Sequence, residues 1–265
     1  MNIITTIQSS NRSSNVDLMQ KALGKIEPIW IVPEPEYNNY IKAGANQVLT
    51  VSGEMPLKTK QLNLALDIGK KEKKIVLTLD DDYEYSQLVY EKNTKKKTKD
   101  ISLCDLIDNL VDKFKESEYK LAGISSTTNP FFKSRELQNY GMLLGAIMFH
   151  KPTDIRFDES LKFLEDMDYI IQHHIQYGGI YRYNYYIAGF HIFGRSEKEN
   201  AKYEGGYKNY RSDEEQLKIF RYIENKYNTE HIKFSTHKVG DSLTKKIKWK
   251  KLKEINENNS LERFI

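Results

Sequence analysis

The apolar run Ile75-Val76-Leu77-Thr78-Leu79 stops on three consecutive aspartates, Asp80, Asp81 and Asp82. A short run of β-branched and leucine residues bounded by charge is a buried strand. The chain must therefore thread this strand through a core and leave three mutually repelling carboxylates at its end. Three earlier segments read as strands of the same kind: NIITTIQ (2–8), PIWIVP (28–33) and QVLTV (47–51). Between them VDLMQKAL (16–23), EYNNYIKAG (36–44) and LKTKQLNLALDIGKK (57–71) carry helical spacing, and Gly44 closes the second of these. Strands alternating with helices at this spacing imply a parallel sheet with right-handed crossovers. Ligands of such sheets bind beyond the carboxyl ends of the strands. The polar loop Ser9–Arg12, the pair Ser52-Gly53 and the three aspartates then share one edge.

The second half alternates less regularly. Residues 84–100 are polar and lysine-rich and read as a loop. SLCDLIDNLVDKFKESE (102–118) is an amphipathic helix, YKLAGISS (119–126) and MLLGAIMFH (142–150) are strands, and helical spacing runs from Glu165 to Gln176. YNYYIAGFHIFG (183–194) reads as a strand and SDEEQLKIFRYIENKY (212–227) as a helix with Ser212 as its N-cap. The expected fold is a single α/β domain over 1–228, a mixed and mostly parallel sheet flanked by helices. Residues 1–100 form its nucleotide-side half, 101–228 its acceptor-side half, and 229–265 a basic extension.

No run approaches the roughly 18 apolar residues of a membrane span, and MNIITTIQSSNR lacks the pattern of a signal peptide. One cysteine, Cys104, excludes an internal disulfide and a cysteine zinc cluster. A cytoplasmic protein is expected, with Cys104 as a small apolar filler. The net charge of +4 is unevenly spread over basic clusters at 70–74, 92–99 and 245–253. With 18 tyrosines and 11 phenylalanines they keep a polyanionic partner in view.

Carboxylate oxygens at a strand end suit hard divalent cations, and Mg²⁺ or Mn²⁺ also takes phosphate oxygens. Residues two apart on an extended chain point the same way, so Asp80 and Asp82 are expected to face one ion and Asp81 to point elsewhere.

These features resemble the GT-A glycosyltransferases, in which an Asp-x-Asp motif after a strand of a Rossmann-like sheet holds a nucleotide-sugar through Mn²⁺ or Mg²⁺. The order NR…VP…Y…G…TKQLN…LDDDY is most similar to the phage DNA glycosyltransferases associated with TET/base-J oxygenases. The resemblance covers roughly residues 1–210 and implies transfer of a hexose from a UDP-sugar, UDP-glucose by expectation, to a 5-hydroxymethylpyrimidine in DNA. It implies nucleotide-sugar contacts from Ser9, Arg12, Lys60, Asn63, Asp80 and Asp81, with Lys60 standing where that group more often has arginine. Gly205 and Gly206 read either as a turn or as a place where backbone amides approach the diphosphate, with Lys208 or Arg211 supplying charge. FLEDMDY (163–169) resembles the late acidic motif, which makes Asp166 the candidate general base, with Glu165 and Asp168 beside it. The aromatic run 177–186 could present rings to a flipped base or a sugar. Among six histidines, His191 is the expected metal ligand, and at least one of His173 and His174 is expected to face solvent. Rival readings keep the sugar donor and change the acceptor to a cell-surface glycan or protein, or replace sugar transfer by DNA binding alone or by metal-dependent cleavage of DNA.

Overall fold

In the computed structural model the residues described are 3–53, 57–93, 95–133, 135–190, 213–239 and 242–252. The first half folds as β1 (Ile3–Gln8), α1 (Val16–Leu23), β2 (Ile29–Pro33), α2 (Tyr37–Lys42), β3 (Gln47–Val51), α3 (Lys58–Glu72) and β4 (Ile75–Asp80). Next come β5 (Tyr83–Lys92), β6 (Lys95–Asp100), α4 (Leu103–Lys115), β7 (Leu121–Ser125), β8 (Leu137–Gln138) and β9 (Leu143–His150). The described chain closes with α5 (Glu165–Tyr177), β10 (Tyr181–Tyr183), β11 (Tyr186–Phe190), α6 (Asp213–Tyr227), β12 (Ile232–Val239) and β13 (Ser242–Ile247).

Eight strands form the main sheet in the order β3-β2-β1-β4-β9-β7-β10-β8. The pairs β1–β2, β2–β3, β1–β4 and β7–β10 are parallel, while β9 runs antiparallel to both β4 and β7. This is the expected mixed α/β sheet flanked by helices. Its central strands are buried on both faces, as crossover helices require: Ile7, Leu77, Leu79, Ile147 and Phe149 lie in one apolar core with Leu106, Leu110 and Phe114 of α4. Ser102 caps α4 by accepting from the Asp105 amide at 3.0 Å.

Residues 83–100 correct the loop expectation. They form a hairpin, β5–β6, which β11 extends to a three-stranded sheet. Ser86 and Val89, three residues apart and so on opposite faces of β5, are both buried, while lysines crowd β6, the edge strand, where charge discourages pairing with another chain. The hairpin starts directly after the aspartates, so it rises from the carboxyl edge of the main sheet. His173 and His174 also depart from expectation, since both are buried in α5. Burial pushes each imidazole down to about 4, and His150 to about 3. Cys104 is only partly covered on α4 rather than packed as core.

The hairpin β12–β13 continues from α6. Ile232 and Leu252 share a core with Phe163, Met167, Ile171 and Ile223, so the segment after residue 228 packs against α5 and α6. Among the described residues no helix is long and apolar enough to cross a membrane.

Candidate active site

Strand register assembles the acidic edge. Gln8 of β1 lies opposite Asp80 of β4, so the loop leaving β1 starts beside Asp81. Gln61, buried on α3, donates from Nε2 to the carbonyls of Ser9 and Ile31, each at 2.8 Å. It thereby ties the ends of β1 and β2 to the helix leading into β4. Tyr40, packed against Trp30, accepts from the Arg12 amide at 3.2 Å and shares a hydrogen bond with Ser9 Oγ. Glu36 accepts from Ser10 Oγ and the Asn11 amide. The loop is thus held at both ends, with Asn11 in the left-handed region (φ 57°) that asparagine tolerates.

Ser9 Oγ donates to Asp81, and Arg12 Nη1 bridges Asp81 Oδ1 at 2.8 Å and Asp82 Oδ2 at 2.9 Å. Asp81 is therefore drawn to Asp82 through Arg12 rather than pointing elsewhere as strand alternation implied, while Asp80 stays close enough to act on the Asp82 carboxyl. The cause is that β4 ends at Asp80 and the chain turns, so two-residue periodicity no longer applies. Asp80, the more open of the three, pairs with Lys58 Nζ at 3.0 Å.

Lys58 links the two acidic motifs of the sequence. Its ammonium lies 3.0 Å from Asp80 Oδ1 and 3.8 Å from Glu165 Oε1. A lysine at the first position of a helix opposes the helix dipole, and the two carboxylates offset that cost. This mismatch is the one sequence signal for Lys58, and the family resemblance points past it to Lys60. Lys60 instead donates to the Ser52 carbonyl at 3.3 Å. Asn63 is also turned away from the edge: Nδ2 donates to the Phe157 carbonyl and Glu159, and Oδ1 accepts from the Phe157 amide.

Glu165 and Asp166 open α5 after Leu164, a non-glycine residue in the left-handed region at φ 61°. Holding a bulky residue there costs about 1–2 kcal/mol, and it turns the acidic pair toward the sheet. Asp166 rests on β9 at Gly145. A Cβ at 145 would lie 2.5 Å from Asp166 Oδ2, so only glycine leaves room for this carboxylate. Asp168, the alternative base, is fully buried and spent on Gln172, Lys226 and Tyr227. It anchors α6 to α5.

Five carboxylates (Asp80, Asp81, Asp82, Glu165, Asp166) thus face two cations, Arg12 and Lys58. Burial, then the charges of Asp80 and Asp81, push the Asp82 carboxyl up to about 7 against the pull of Arg12 and Lys58. Burial, with Asp166 and Asp80 adding to it, likewise pushes Glu165 up to about 7, opposed by Lys58. Burial also raises Asp81, and Arg12 and Ser9 oppose the rise. Asp82 Oδ1 is buried with no hydrogen-bond partner. Among the described residues no group of three or more histidine, cysteine or carboxylate side chains is gathered at ligand spacing. An ion held by one or two carboxylates, waters and phosphate oxygens needs no such group. An orphaned carboxylate oxygen and an excess of negative charge fit that kind of cation. His191, Gly205, Gly206, Lys208 and Arg211 lie outside the described residues.

No protein-family model matches the sequence, and no curated protein matches it. Among solved structures the chain is similar to a CMP:2-keto-3-deoxy-manno-octonic acid synthetase complexed with CTP, at 10% identity and TM-score 0.45, over 76% of this chain and 96% of that one. An inositol-1-phosphate CTP transferase from T. maritima matches at 10% identity and TM-score 0.40, over 76% and 94%. A mannose-1-phosphate geranyltransferase from Thermus thermophilus matches at 12% identity and TM-score 0.33, over 71% and 57%. At these scores the likeness carries no conclusion about this chain's chemistry.

Proposed function

We propose that this chain is a nucleotide-sugar-dependent glycosyltransferase of the GT-A kind, using Mn²⁺ or Mg²⁺ and transferring a hexose from a UDP-sugar, UDP-glucose by preference, to a hydroxyl acceptor. The observation that carries the reading is the meeting, through Lys58, of Asp80 with Glu165 at the carboxyl edge of the sheet. Two acidic motifs 85 residues apart in sequence have no common use on a surface, but a donor and an acceptor hydroxyl need both.

Asp80 and Asp82 would hold the divalent ion, which when bound offsets the charge building on a departing diphosphate. Arg12 and Lys58 add fixed positive charge at the same edge, where a diphosphate is steered and oriented. Ser9 and Asp81 keep Arg12 in place. Glu165 is the group we assign to take the acceptor proton, because a carboxylate raised to about 7 is matched to that task near neutral pH. Asp166 stands beside it against Gly145. The preferred acceptor is the hydroxymethyl group of a 5-hydroxymethylpyrimidine in DNA, which the motif order favours.

Incubation with labelled UDP-glucose and Mn²⁺, using duplexes with and without 5-hydroxymethylpyrimidines, tests the reading. Label on the hydroxymethylated duplex alone is expected, with E165Q reducing it about 100-fold or more. Failure to release UDP with any hydroxyl acceptor removes sugar transfer. The paired cations Arg12 and Lys58 favour one second reading, nucleotidyl transfer from a nucleoside triphosphate. Release of pyrophosphate instead of UDP would identify it.

A further inference from the structure

Three basic side chains lie close together beside the β5–β6 hairpin, and the acid at hand, Glu91, stands opposite Lys96 in the strand register and accepts from the Tyr185 hydroxyl at 3.4 Å. Lys133 is 1% exposed, yet its ammonium donates a single hydrogen bond, to the Tyr186 carbonyl at 3.3 Å. Arg182 of β10 donates from Nη2 to Gln138, while its Nε is buried with no hydrogen-bond partner. Lys96 of β6 donates to the Lys133 carbonyl, its ammonium 5.6 Å from the Tyr185 ring centre. Glu136, the acid nearest Lys133 in sequence, is paired with Lys113 instead.

Burying a cation among neutral oxygens is costly, and proteins pair such a group or neutralise it. Here burial, then the charges of Arg182 and Lys96, bring the Lys133 ammonium down to about 8. Lys95, Lys97 and Lys99 on the same strand are exposed and need no such account, since edge-strand lysines are solvated. Lys133 is different: it is 1% exposed with one hydrogen bond for its three donor protons, and beside it the buried Nε of Arg182 has no hydrogen-bond partner.

We propose that Lys133, Arg182 and Lys96 form a binding site for an oxyanion of the phosphate class. The arrangement offers the Lys133 ammonium and, beside it, the guanidinium fork of Arg182, which is suited to tetrahedral oxyanions. Tyr186 begins β11, and Phe190 at its far end pairs with Tyr83, one residue past Asp82. Four residues of strand place the site about 13 Å along β11 from the acidic edge. A phosphate there belongs to a free phosphorylated compound or to a nucleic-acid backbone. The site does not depend on the sugar-transfer reading.

Thermal unfolding of the full chain in inorganic phosphate, against chloride at equal ionic strength, tests the proposal. At phosphate tenfold above its Kd the unfolding temperature should rise by about 3 °C. K133M should unfold at or above the wild-type temperature in chloride, because it removes the uncompensated charge, and should lose the phosphate shift. R182Q should reduce that shift. Replacing phosphate by a plain DNA duplex separates the sources: protection of the wild type and not of K133M marks a backbone phosphate, while protection by inorganic phosphate alone marks a small phosphorylated ligand. The absence of any phosphate shift in the wild type, or an equal shift in K133M, overturns the site. UDP binding by K133M should match the wild type, which keeps this outcome apart from failure of the acidic edge.

Discussion

Replacing Asp82 by asparagine should stabilise the ligand-free protein at pH 8. The carboxyl of Asp82 lies at about 7 in the folded chain against an ordinary value of 3.8, through burial and the charges of Asp80 and Asp81. A folded-state value above the unfolded one means that the folded chain binds the extra proton between those limits. Its contribution to stability is full below about pH 4 and lost as pH rises through 7. Each unit is worth about 1.36 kcal/mol, so ionisation at pH 8 costs at most about 4 kcal/mol. Asp82 is only 8% exposed, so solvent screening removes little of this. Asparagine keeps an oxygen for Arg12 and cannot ionise. D82N should therefore gain about 3 kcal/mol at pH 8, roughly 6–12 °C in unfolding temperature for a chain of this size, and show no gain at pH 4. Scanning calorimetry of both proteins from pH 4 to 8, in chelator, reads the difference directly. A D82N protein less stable than wild type at pH 8, or an offset independent of pH, would show that the Asp82 carboxyl is not held protonated by its burial.

Other perturbations read separate parts of the structure. G145A drives a methyl group into Asp166 and should lower kcat about 10–100-fold with UDP binding unchanged, as measured by initial rates and calorimetry. N63A strands the amide and carbonyl of Phe157 and should cost about 2–4 kcal/mol in urea denaturation while leaving nucleotide affinity alone. Buried His173 sits near 4 when folded and near 6.5 when unfolded, so the unfolded chain takes up the proton first and stability falls as pH drops from about 6.5 to 4. H173Q should flatten that slope by up to one proton in denaturation curves taken at pH 7, 6 and 5.

The sequence showed how the sheet begins and where its acidic edge lies, because those features are local. Ile75–Leu79 can only be a buried strand, and three aspartates after it can only mark a strand end. What escaped was set by residues whose roles depend on distant partners. Lys58 and Gln61 look like the polar side of α3 until β1 and β4 are placed beside them. The hairpin at 83–100 was hidden because lysines crowd the edge strand β6 and because β5 buries Ser86 and Val89, three residues apart, so that no two-residue alternation shows. The adjacent His173 and His174 looked half-exposed on helical spacing alone, yet α5 is covered by β9 on one side and by α6 and the residue 249–252 turn on others. The pairing of Asp81 with Asp82 follows from where β4 stops, and strand periodicity cannot foretell its own end.

Calorimetric titration of UDP into the full chain, with Mn²⁺ and then with chelator, bears most directly on the acidic edge as the seat of nucleotide binding. Binding in Mn²⁺ is expected, with its loss in chelator and a drop of at least tenfold in affinity for both D82N and K58M. UDP binding that is indifferent to the cation and to both substitutions, or no binding at all, would contradict that role for the acidic edge.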